Sequence, residues 1–112
     1  MELQTPPIGL AGIVAFQDGI LYQSNYTFIV ETTRHLTNSL RALEEGVIEP
    51  QELDLELGFP ISFVQPSYYA LKRLESKYPQ LPTKFADSAF KDFSEVHRKV
   101  CEHIVFGKGG FS

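Results

Sequence analysis

The sequence predicts a mainly α fold of about four helices with a small N-terminal β-hairpin, an α+β arrangement being the alternative class. Three observations point there. Apolar residues recur at three- and four-residue spacing over most of the chain after residue 25. Gly or Pro interrupts the chain between the periodic runs. The clearest pair of adjacent β-rich runs flanks Asp18-Gly19 near the N-terminus.

Residues 1–11 contain Pro6-Pro7 and no usable period, which predicts an extended lead-in. Gly12 to Phe16 and Ile20-Leu21-Tyr22 then bracket Gln17-Asp18-Gly19, and Gly accepts the positive φ that a tight hairpin turn needs. From Ser24 or Asn25, either able to cap a helix, the pattern changes: Ile29, Leu36, Leu40 and Leu43 fall on one stripe and Gly46 suits the position after a helix end. This predicts a helix over 26–45, although the β-branched and aromatic run from Tyr26 to Val30 also suits a strand.

Pro50 opens Gln51-Glu52-Leu53-Asp54-Leu55-Glu56-Leu57, closed by Gly58 and Pro60. Strict acid/apolar alternation favours a strand; Pro at the first turn, early acids and Gly at the end favour a short helix over 50–57, which is the reading adopted. Pro66 begins a third helix over 66–77, with Tyr68, Leu71, Leu74 and Tyr78 on its stripe and Pro79 ending it. Thr83 is the expected cap of the last and clearest helix, over 83–105, where Phe85, Ala89, Phe93, Val96, Val100 and Ile104 step by three and four. Gly107 to Ser112 is expected to be a flexible tail.

At 112 residues the chain fits one domain, 1–112, and its 43% hydrophobic content with nine Phe and five Tyr is that of a folded core. The longest apolar run, Ile8 to Phe16, is too short to span a membrane. No Lys or Arg precedes it, so no export signal is read, and with one cysteine, Cys101, the expected location is the cytoplasm, with no membrane partner. The net charge of −4 is unevenly spread: residues 1–71 hold two basic against nine acidic residues, and residues 72–112 hold eight against five. Such a split is a hint of a charged binding surface.

The acids concentrate. Glu44, Glu45, Glu49, Glu52, Asp54 and Glu56 lie together with no Lys or Arg among them. Carboxylates held this close repel one another, and a basic partner or a cation relieves the repulsion. A calcium loop needs small or polar residues where Glu52 to Leu57 places Leu, which leaves a plain solvated acidic face or a docking face for a basic protein surface. Phe59 and Phe63, on the proline-rich connection, are the aromatic side chains expected to anchor such a partner.

The third helix carries the sequence Ser67-Tyr68-Tyr69-Ala70-Leu71-Lys72-Arg73-Leu74-Glu75-Ser76-Lys77. It resembles the recognition helix of winged helix-turn-helix regulators, with Ser near its start, a hydrophobic stripe and an exposed basic pair. The resemblance covers about a quarter of the chain and implies DNA binding through that helix. Pro60 and Pro66 make the preceding turn longer than the compact connection of that motif, and helix rather than a two-stranded wing follows Tyr78.

Other constellations are thinner. His97 and Cys101 share a helix face, but a structural zinc site needs four ligands and nothing completes the set. Glu31, His35 and Ser39 contain the residue types of a hydrolase triad without the tight nucleophile turn that triads use. Gly107 to Gly110 precedes no helix and so is no phosphate loop. The sequence therefore implies no catalytic residues, cofactor or metal. The expected function is a non-enzymatic interaction module: a small regulator, adaptor or inhibitor that docks a basic protein through its acidic segment. DNA binding by the helix from Ser67 to Lys77 is the alternative.

Overall fold

A computed structural model describes residues 15–49, 58 and 60–106. Three helices organise them: α1 over Phe16–Glu44, α2 over Val64–Lys77 and α3 over Ala86–Phe106. No strand occurs among the described residues. The mainly helical class holds, while the predicted helix over 50–57, the lead-in over 1–11 and the tail over 107–112 lie outside the described residues.

The predicted hairpin is overturned where it can be compared. Its turn, Gln17-Asp18-Gly19, and its second strand, Ile20 to Tyr22, form the first two turns of α1; residues 12–14 of its first strand lie outside the described residues. Tertiary contacts decide the outcome. Asp18 accepts hydrogen bonds from Lys77 Nζ (2.9 Å) and from the Tyr78 hydroxyl, and Tyr22 is buried against α2 and α3. A carboxylate in the first turn also suits the positive end of the helix dipole.

The helix therefore starts ten residues before the predicted position. Asn25, expected as a cap, donates its side-chain amide to the Leu21 carbonyl at 2.8 Å. The run from Tyr26 to Val30 lies within α1, with Ile29 fully buried, and beyond it Thr33 and Thr37 return their hydroxyls to the carbonyls of Ile29 and Thr33, at 2.8 and 2.9 Å. Tyr22, Ile29, Thr32, Leu36 and Leu43 form the buried face. The helix ends as the sequence predicts. Gly46 takes φ +74°, Val47 N–H reaches the Ala42 carbonyl at 2.8 Å, and Gly46 N–H reaches that of Leu43 at 3.1 Å, the paired bonds of a Schellman end.

α2 runs antiparallel to α1, since Asp18 pairs with Lys77 while Tyr22, further along α1, pairs with the earlier residue Glu75. Val64, Leu71 and Leu74 supply its apolar stripe. α3 starts beside Tyr22 and Tyr26, whose ring lies 5.5 Å from that of Phe85, and runs back parallel to α1. The result is an up-down-up bundle. Its core joins Ile29, Leu36 and Leu43 to Leu71 and Leu74 and to Ala89, Phe93 and Val100, with Tyr68 stacked on Phe90 at 4.3 Å.

α3 begins at Ala86 rather than at 83. Its opening N–H groups are satisfied from other helices: Phe85 N–H donates to the Tyr22 hydroxyl (3.0 Å) and Ala86 N–H to Glu75 Oε2 (2.9 Å). These long-range acceptors replace the local cap expected from Thr83.

Candidate functional site

The bundle's interior polar groups hold helices together. Tyr22 donates its hydroxyl proton to Glu75 Oε2 at 2.6 Å, and both side chains are buried. Burial, reinforced by the adjacent Glu75 carboxylate, raises the Tyr22 hydroxyl well above its ordinary pKa. On the α2–α3 seam, Asp87 accepts from the Tyr68 hydroxyl (2.6 Å) and from Lys72 Nζ (3.1 Å); the tyrosine bond first and the lysine second lower the Asp87 pKa. Asp18 is lowered likewise, by its bond from Lys77 and then that from Tyr78.

The acidic residues divide. Glu44 is the last residue of α1, Glu45 caps it, and Glu49 follows the turn; all three are exposed. Glu52, Asp54, Glu56 and Phe59 lie outside the described residues. Neither Glu44 nor Glu45 makes an ion pair among the described residues. Both carboxylates stand where the helix carbonyls already concentrate negative charge, an arrangement that opposes the dipole rather than complementing it.

Apolar surface accompanies them. Val47, just past Gly46, is 70% exposed, and at the end of α3 Ile104 and Val105 are exposed, the latter at 70%. The parallel run of α1 and α3 from their contact at Tyr22, Tyr26 and Phe85 brings the ends of both helices to the same end of the bundle. Phe63 is 47% exposed but belongs elsewhere. Counted back from the Tyr22–Glu75 bond it lies level with the middle of α1, so Glu44 stands about 15 Å further along the axis. The structure thus brings Glu44 and Glu45 together with Val47 and separates them from Phe63. Val47 carries a legible signal, a large apolar residue in a turn between acids; Ile104 was hidden because it continues the helical stripe that reads as core.

The outward side of α2 is the second charged surface. Lys72, Arg73 and Lys77 line a shallow depression of about 630 Å³ with Tyr69 and Ser76. Lys72 and Lys77 are engaged by Asp87 and Asp18, whereas Arg73 has no ion pair among the described residues. Bonding to those carboxylates raises both lysine pKa values.

The remaining sequence candidates resolve into helix-surface contacts. Cys101 Sγ lies 3.7 Å from His97 Nε2, and His97 stacks on Phe93 at 5.3 Å. Glu31 is bonded by Arg34. No group of three His, Cys, Asp or Glu side chains among the described residues is placed to hold a metal ion, and no helix among them is long and apolar enough to cross a membrane.

Comparison with protein-family models, with curated proteins and with solved structures returned no match, so the chemistry of this surface rests on its own residues.

Proposed function

We propose that this chain is a non-enzymatic interaction module, a small regulator, adaptor or inhibitor, that docks a basic protein through the acidic end of α1. The observation that carries the reading is the arrangement of Glu44 and Glu45. They are adjacent, exposed, without ion pairs among the described residues, and set at the negative end of a helix of 29 residues. A cationic surface laid across this end relieves both the mutual repulsion and the conflict with the dipole. Exposed Val47 and Val105 add the apolar contact that a purely electrostatic encounter lacks.

The test isolates the two carboxylates. A partner recovered from the native host with the full chain is purified, and its affinity is measured against the wild type and against Glu44→Gln combined with Glu45→Gln. Weaker binding in the variant, with a shallower salt dependence, supports the reading; equal affinity and equal salt dependence defeat it.

Duplex DNA along α2 is the second reading, supported by the shared depression of Lys72, Arg73 and Lys77. Two of those three cations already face carboxylates within the chain, which weakens the phosphate attraction on which such binding depends. Absence of duplex binding by the full chain at low salt eliminates it.

A further inference from the structure

We draw no further inference here: the strongest candidate, the contact of exposed Cys101 with His97 on α3 beside the depression that Ile61, Gln65 and Phe93 line where the start of α2 meets α3, is one thiol and one imidazole with no third metal ligand among the described residues and nothing in the structure to show what the depression would hold.

Discussion

The Tyr22 hydroxyl lies 2.6 Å from Glu75 Oε2, and that same oxygen accepts the first N–H of α3 from Ala86 at 2.9 Å. One buried carboxylate therefore ties α1, α2 and α3 at a single point. The Tyr22 hydroxyl in turn accepts Phe85 N–H, so removing either side chain strips a partner from the start of α3.

Loss of this node is expected to be costly relative to its size. Tyr22→Phe keeps the ring in the core and removes the hydroxyl, leaving Phe85 N–H without that acceptor. A loss of about 1–3 kcal/mol in urea unfolding is expected. Glu75→Ala should cost more than Glu75→Gln, whose amide oxygen can still receive Ala86 N–H. The double variant Tyr22→Phe, Glu75→Gln should lose less than the sum of the single losses, because the two groups share one network.

High pH should weaken the fold through the same tyrosine. Burial and the Glu75 carboxylate raise the folded-state pKa of Tyr22 above its ordinary 10.0. A group raised on folding contributes stability that is complete below its unfolded pKa and is lost as pH rises from there toward the folded value. Stability measured between about pH 9 and pH 11 should fall in the wild type and fall less in Tyr22→Phe. Lys72, Lys77 and Tyr68, also raised, account for a smaller residual slope.

Low pH acts on the other two acidic contacts. Asp18 and Asp87 both lie below their ordinary value of 3.8 on folding, so their contributions are present above that value and disappear as pH falls through the lowered one. Their exposures set the expected ranking. The Asp18 side chain is 20% exposed and that of Asp87 70%, so salt should screen the Asp87 contact more strongly. Asp18→Asn should flatten the acid limb of the stability profile more than Asp87→Asn does, and the difference should widen at high salt.

At the end of α1 the backbone itself makes a prediction. Gly46 sits at φ +74° with open space around the position of an added Cβ, so Gly46→Ala meets no distant neighbour and its cost is the strain of holding an L side chain in the left-handed region. A destabilisation of about 1–2 kcal/mol is expected. An unchanged unfolding midpoint would show that the Schellman end is not maintained in solution.

These results also mark what could be seen in the sequence. The stripes of α2 and α3 and the end of α1 at Gly46 were legible because they depend on local periodicity and on one residue's φ. The start of α1 was not. Asp18-Gly19 satisfies hairpin chemistry on its own, and only Lys77 and Tyr78, some sixty positions away, make helix the better solution. Glu75 was hidden for a related reason: within Lys72-Arg73-Leu74-Glu75-Ser76-Lys77 it reads as part of a solvated charged face, although it follows Leu71 by four and precedes Tyr78 by three on the buried side. At the candidate surface, Glu44, Glu45 and Glu49 were visible as charge. Val47, a large apolar residue in a turn between acids, was visible as well, whereas its sharing one end of the bundle with Val105 depends on which helix ends coincide, a relationship that no local pattern records.

The measurement that bears most directly on the acidic end of α1 is the salt dependence of partner binding, compared between the wild type and Glu44→Gln with Glu45→Gln. Binding that weakens steeply with added salt in the wild type, and weakly in the variant, is the expected result. Identical affinities and identical salt slopes would contradict docking through this end.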